Sequence, residues 1–366
     1  MKETAYLKLY RQLRNDILSG GYPYGTKLPS KRTLAGEYGV SLVTVEHAME
    51  ILCEEGYAAA AQRSGYFASY QESDGFAAAA ETESAPAEVP TMEVASLFPF
   101  SVYAKTMRRV LSEYGEQLLI KSPNAGCEEL RTALCGYLAR SRGIRVTTDQ
   151  IIIGAGAEYL YGLAVEILGR NRIYGIETPS YEKIEQVYEA NDVTLRLLSL
   201  GENGILSREL AGTDAHVLHI TPYRSFPSGV TADASKRREY IRWADKEQGR
   251  YIIEDDFESE FTPLKKPEDT VFSLSDRENV IYLNTFSKTI APSVRIGYMV
   301  LPAALLPVYR KRAGFYSCAV PTFDQLALAA FLADGSFERH INRVRRMRRK
   351  EKTQVLPMES TCVRKH

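Results

Sequence analysis

Lys288 stands in the stretch NTFSKTIAPSVRIGY, residues 284–298. It follows an apolar run, VIYL, and precedes Arg295 by seven positions. An ε-amine on a loop at the end of a buried strand can be held partly neutral by its surroundings and attack an aldehyde. Arg295 offers a planar two-pronged donor suited to a phosphate, and Thr285 and Ser287 add hydroxyls beside it. Most lysines in a chain are solvated surface groups; it is this company that singles out Lys288. A second group lies upstream, where RYIIEDDFESEF closes an apolar run on Glu254, Asp255 and Asp256. Carboxylates at a strand end call for a cationic partner, and a protonated pyridine nitrogen is one. An ordinary acidic loop is the plainer alternative.

The elements that must position these groups are legible from residue 91 onward. Helical stretches, such as Glu128–Ser141 and 159–168, alternate with short apolar runs: QIIIG, RIYGIE, HVLHI, RYIIED, NVIYL and YMVL. Strands alternating with helices predict an α/β domain with a mainly parallel central sheet. Such sheets bind ligands at the carboxyl ends of their strands, which is where Lys288 and Asp255 fall. IIIGAGAEY also imitates a dinucleotide-binding G-x-G-x-x-G turn, with Glu177 closing the next strand, but Tyr159 replaces the third glycine. GGYPYGTK misses a P-loop by one position.

Residues 1–69 read as a separate unit. Tyr6, Leu9, Leu13 and Ile17 recur at helical spacing, and Pro23 and Gly25 end that helix. A second helix is predicted over 30–38, with Gly39 for a tight turn, Val40 as a buried plug and Ser41 as the N-cap of a third helix reaching residue 55. Val45, Ala48, Met49 and Leu52 form its inward face. AAAAQRSGYFASY then gives two short strands around Arg63, Ser64 and Gly65. This order is a winged helix-turn-helix. Eight basic and seven acidic residues give it little net charge, so placement matters more: Lys31 and Arg32 open the second helix and Arg63 tips the wing. Residues 70–90, small and acidic with two prolines, read as a solvated linker.

The whole chain sets broad limits. Its 366 residues carry zero formal net charge, so nucleic-acid binding must come from local clusters. Five cysteines at 53, 127, 135, 318 and 362 form no C-x-x-C pair, which fits reduced thiols and no metal site. The charged N-terminus is unlike a signal peptide, and no apolar run nears the ~20 residues that span a bilayer. A soluble, cytoplasmic protein without a membrane partner is expected.

Taken together, these motifs resemble the MocR-type subfamily of GntR regulators, in which a winged helix-turn-helix is fused to an aspartate-aminotransferase-like domain that uses pyridoxal 5'-phosphate. LYRQLRNDILSGGYPYGTKLPSKRTLAGEYGVS is similar to the GntR module. NAGCEELRTALCGYLARSRG, ETPSY, FPSGVT, IIEDDFESEF and TFSKTIAPSVRIGY are similar to the aminotransferase part. The resemblance implies that Lys288 forms the internal aldimine, Asp255 binds the pyridine nitrogen, Arg295 binds the phosphate and Tyr181 stacks on the ring. The backbone at Gly156 and Ala157, with Thr285 and Ser287, would complete the phosphate site. On the DNA side it implies contacts from Arg32, Ser41, Thr44 and His47. It further implies a homodimer on a double-stranded operator and a small amine or amino-acid effector, with the domain used as a sensor and without turnover. A working aminotransferase with an accessory DNA-binding domain is the alternative.

The chain departs from the family pattern at several points. Phe257 replaces a tyrosine, Arg224-Ser225 replaces H-Q, Lys121 stands near a lost aromatic, and Glu158 at the phosphate turn would repel a phosphate. Leu42 replaces an arginine often found after G-V-S, and Glu46 would repel DNA phosphate. The basic helix carrying arginines 339, 343, 345, 346, 348 and 349 is expected to present a solvated face. After it, TQVLPMESTCVRKH stands where the family continues into a small subdomain, so that subdomain is expected to be missing.

Overall fold

A computed structural model describes residues 4–61, 64–71, 98–262 and 268–359. The chain divides into two compact units, Met1–Pro90 and Thr91–His366. Apart from residues 70 and 71, the expected linker lies outside the described residues, as do Arg63 and Cys362.

The first unit packs three helices against a hairpin: α1 (Ala5–Leu18), α2 (Lys31–Tyr38), α3 (Leu42–Glu54), β1 (Ala58–Ala61) and β2 (Gly65–Ala68). Its core joins Leu9, Leu13 and Ile17 of α1 to Leu34 of α2 and to Val45, Ala48, Met49 and Leu52 of α3. Apart from Ala48, each such side chain is worth roughly 1.5–3 kcal/mol on full burial, which is how so small a unit holds together. Tyr10 takes the buried place in α1 expected of Tyr6, which packs edge-on against His47 instead. Val40 is only partly buried against this core. Ser30 and Ser41 cap α2 and α3, their hydroxyls accepting from the N–H of Thr33 and Thr44 at 3.2 and 3.1 Å. Gly39, at φ 63°, makes the left-handed turn between them that a side chain would oppose.

The second unit is built on an eight-stranded sheet: β3 (Ile151–Gly154), β4 (Ile173–Thr178), β5 (Thr194–Gly201), β6 (Gly204–Ile205), β7 (Val217–Ile220), β8 (Tyr251–Asp255), β9 (Val280–Thr285) and β10 (Gly297–Val300). Their spatial order is β3-β10-β9-β8-β7-β4-β5-β6. The pairs linking β5, β4, β7, β8 and β9 are parallel; β10 runs antiparallel to both β9 and β3, and β6 to β5. Helices α4 (Phe100–Tyr114), α5 (Glu128–Ser141), α6 (Ala157–Leu168), α7 (Glu182–Ala190), α8 (Ser207–Gly212), α9 (Ala234–Asp245), α10 (Val271–Leu274), α11 (Leu306–Arg312) and α12 (Thr322–Ala333) accompany the sheet, and α5, α6 and α12 contribute to the two large apolar clusters around it. That burial explains why β8 and β9 read as continuous apolar runs. Strands β5 and β6 were not among the expected ones.

Candidate functional site

The carboxyl ends of the parallel strands converge on one cavity of about 240 Å³. Lys288, Asp255, Arg295, Tyr181, Ala157, Thr285 and Ser287 all line it. β8 delivers Asp255, β9 delivers Thr285 and the loop to Lys288, and the turn after β4 delivers Tyr181.

Strand geometry decides which of the three carboxylates faces the cavity. Side chains alternate across a strand, so Glu254 and Asp256 turn away from Asp255. Glu254 accepts from the backbone N–H groups of Val271 and Phe272, both at 2.8 Å, and from the Tyr223 hydroxyl at 3.0 Å. Asp256 accepts from Tyr282 at 2.7 Å and pairs with the buried Arg142 at 2.6 Å. Asp255 is 2% exposed. Its Oδ2 receives the Tyr161 hydroxyl and lies 3.6 Å from His219 Nε2, while its Oδ1 has no hydrogen-bond partner among the described residues. A buried carboxylate oxygen left unpaired is costly. Its position on the cavity wall fits a protonated ring nitrogen, so the residues present suit pyridoxal phosphate at this end.

Sequence reasoning did not find the support beneath Asp255. His219 Nδ1 lies 2.6 Å from the Tyr188 hydroxyl, and Tyr161, Tyr188 and His219 stack edgewise. Burial, with the Asp255 carboxylate beside it, pushes the Tyr161 hydroxyl far above its ordinary range and keeps it a donor. A histidine inside the buried strand VLHI was the available signal.

The end expected to take a phosphate is a close assembly. Gly156, at φ 96°, turns the chain into α6; a Cβ there would lie 2.7 Å from Arg295 Nη2. Arg295 itself sits at φ 47°, an uncommon conformation for a residue with a side chain. Its guanidinium already holds Glu158, at 2.5 Å, and Lys183 reaches the other Glu158 oxygen at 3.2 Å. Partial burial pushes the Glu158 carboxyl up, but the hydrogen bonds from Arg295 and Lys183 outweigh it and hold the group below its ordinary value. The glutamate expected to oppose a phosphate thus already occupies the guanidinium expected to bind one.

The other departures also have structural partners. Ser225 is buried and donates to Glu177 at 2.8 Å; burial pushes the Glu177 carboxyl up to about 8. Arg224 pairs with Glu258. Phe226 lies edge-on to Tyr181 and, with Phe257, helps line the cavity. The basic helix α13 (Ser336–Glu359) keeps the solvated face expected of it at Arg339, Arg343, Arg346 and Arg349, which are exposed, but not at two other arginines. Arg345 and Arg348 are half-buried, Arg345 donating to the Glu260 carbonyl and Arg348 reaching Glu258.

In the first unit, Arg32 is exposed. Lys31 pairs with Glu46 at 2.5 Å and lies over the Tyr66 ring. Ser41 and Thr44 bond each other in the cap of α3. His47 is exposed beside Glu50.

Two family descriptions match the chain: bacterial regulatory proteins of the gntR family over residues 5–67, and aminotransferase class I and II over residues 95–357. The HTH-type transcriptional regulator YdeL of Bacillus subtilis is 34% identical across 96% of this chain and 78% of its own length. The pyridoxine biosynthesis regulator PdxR of Corynebacterium glutamicum is 28% identical across 95% and 77%, and the probable rhizopine catabolism regulatory protein MocR of Rhizobium meliloti 27% across 93% and 74%. Among solved structures, Pyrococcus horikoshii kynurenine aminotransferase superposes with a TM-score of 0.61 at 25% identity, over 68% of this chain and 64% of that one. The Thermococcus profundus multiple substrate aminotransferase gives 0.63 at 23%, over 71% and 67%. The nucleotide-binding reading of GAGAEY therefore gives way, and its turn is part of an aminotransferase-type cavity. The chain belongs to the MocR-type GntR transcription regulators, in which a gntR-type DNA-binding module is joined to an aminotransferase-fold, pyridoxal-phosphate-dependent domain.

Proposed function

We propose that this regulator senses a small amine or amino acid at the Lys288 cavity and that occupancy there sets the affinity of residues 1–69 for an operator. Residues 70–90 tether the module to a sensor formed by 91–366. The observation that carries the reading is one cavity bringing together Lys288, the unpaired Asp255 Oδ1, Arg295 and Tyr181. Asp255 holds a proton on the ring nitrogen, with Tyr161 and His219 fixing its rotamer. Arg295, Thr285, Ser287 and the amides at Gly156 and Ala157 take the phosphate, at the start of a helix whose dipole favours an anion. Tyr181 covers the ring, and Lys288 supplies the amine for covalent attachment. Bound there, pyridoxal phosphate supplies an aldehyde that amines capture and a ring that withdraws electrons.

At the DNA end, Arg32 and His47 are exposed for contact, and Lys31 follows once freed from Glu46. Ser41 and Thr44 set the start of α3, and Arg63 is assigned to the wing. A homodimer would let two modules read paired half-sites. The test is a visible spectrum of the protein with pyridoxal phosphate before and after borohydride, with operator binding measured in parallel. Covalent trapping that needs Lys288 supports the reading; trapping undiminished in Lys288→Ala ends the assignment.

A further inference from the structure

Lys288 borders a second cavity of about 320 Å³ on its other side. Much of that wall is apolar, from Phe98, Ile290, Val344 and Met347. Besides Lys288, its charged members are Glu258 and Arg348, and Arg224 reaches this wall only through its pairing with Glu258. The single oxygen Oε1 of Glu258 is shared by Arg348 Nη1 at 3.5 Å and Arg224 Nη1 at 3.3 Å. Charge-assisted bonds between guanidinium and carboxylate normally close to 2.7–2.9 Å and use both oxygens. Here two cations hold one carboxylate loosely, through one atom each. Arg348 is steadied independently, its guanidinium over the Phe261 ring at 5.0 Å and reaching the Phe261 carbonyl at 3.5 Å. Arg224 is held at φ 55°, a backbone conformation that fixes where its side chain departs.

We propose that Arg348 and Arg224 form the carboxylate receptor for an apolar amino acid, and that Glu258 is a resident counter-ion which the ligand displaces. The amine of such a ligand faces Lys288 on the shared wall, its hydrocarbon side chain packs on Val344, Met347 and Phe98, and its carboxylate takes both arginines with better geometry than Glu258. This rests on the Lys288 cavity being the cofactor site, but it concerns different residues and fails separately.

The test titrates the pyridoxal-phosphate-loaded full chain with leucine, methionine, phenylalanine and 5-aminovalerate, and with leucinamide as the control lacking a carboxylate. Heat of binding and thermal midpoint are the readouts. At least one amino acid binds and leucinamide does not. Arg348→Ala weakens that binding by about tenfold or more, the loss expected for a bond to a charged partner, while affinity for the cofactor is unchanged. Glu258→Gln acts in the opposite sense and strengthens binding severalfold, which a merely unfolded variant cannot do. No binding by any of the four, equal binding of leucinamide, or unchanged affinity in both variants overturns the proposal. Failure of the parent chain to trap cofactor with borohydride overturns instead the reading on which it rests.

Discussion

Replacing Glu158 by glutamine isolates the most unusual feature of the proposed phosphate end. The substitution keeps the side chain's size and removes one negative charge that now occupies Arg295 at 2.5 Å. The pair is not deeply buried, with the glutamate side chain 25% and the arginine 51% exposed, so a dielectric near that of water applies. A carboxylate and a phosphate dianion sharing one guanidinium lie roughly 5 Å apart, and their repulsion at a dielectric of about 40–80 is roughly 1.5–3 kcal/mol before salt screening. Lys183 neutralises part of it. About 1–2 kcal/mol then remains, so Glu158→Gln should bind pyridoxal phosphate roughly 5- to 30-fold more tightly than the parent. Equilibrium titration followed by visible absorbance measures this directly, and the advantage should shrink as ionic strength rises. Equal or weaker affinity in the variant would show that Glu158 aims Arg295 without competing with the phosphate.

Other substitutions probe the remaining assignments. Lys288→Ala should abolish borohydride trapping of cofactor. Asp255→Asn should lower cofactor affinity about tenfold or more, because a buried charge partner is lost; unchanged affinity would leave the unpaired Oδ1 without a role. Arg32→Ala should weaken operator binding and reduce the salt slope by about one, whereas Lys31→Ala should do less because Glu46 already holds that amine; equal effects in a salt titration would contradict the pairing. Glu177→Gln tests the buried carboxyl, whose value is raised from 4.5 to about 8. A raised carboxyl stabilises the fold below its unfolded value and loses that contribution as pH climbs from about 4.5 to 8, on the order of 5 kcal/mol. The variant's thermal midpoint should therefore gain on the parent's between pH 5 and 8.5, and a constant difference would mean that Glu177 does not titrate there.

The sequence displayed the site wherever neighbouring residues carry it. Lys288, Ser287, Thr285 and Arg295 fall on the short stretch from the end of β9 to the start of β10, and Asp255 falls at a strand end where ligands bind. What stayed hidden depends on strand adjacency or on distant pairing. His219 supports Asp255 only because β7 lies beside β8. Glu158 meets Arg295 from 137 positions away and Arg348 meets Glu258 from 90, so counting arginines along α13 gave a solvated face where two are turned inward. β5 escaped notice because TLRLLSLG is largely exposed or half-buried, with Leu198 alone fully buried, and its apolar period is correspondingly weak. Conversely, the winged helix was legible because its caps and its core face are local signals.

Glu158 on Arg295 and Glu258 on Arg348 and Arg224 together describe how such a chain could respond to ligand. A ligand moves an equilibrium only by its difference in affinity for two states. Bare arginines would bind an anion tightly whichever state the protein adopted. Arginines already holding the chain's own carboxylates make binding an exchange of one anion for another, so the net affinity is moderate and sensitive to how well the new anion fits. The exchange also has a mechanical consequence. Arg224 heads the hairpin closed by the Ser225–Val230 bridge, which carries Phe226 to the cavity wall, and its pairing with Glu258 ties that hairpin to the turn after β8. A ligand carboxylate that takes Arg224 and Arg348 cuts the tie and leaves Glu258 to solvent, so two arrangements of the cavity wall differ by which carboxylate the arginines hold. A variant with Glu258 and Glu158 both changed to glutamine should lose this contrast: it should bind cofactor and amino acid more tightly than the parent, yet show a smaller change in operator affinity between its empty and loaded forms.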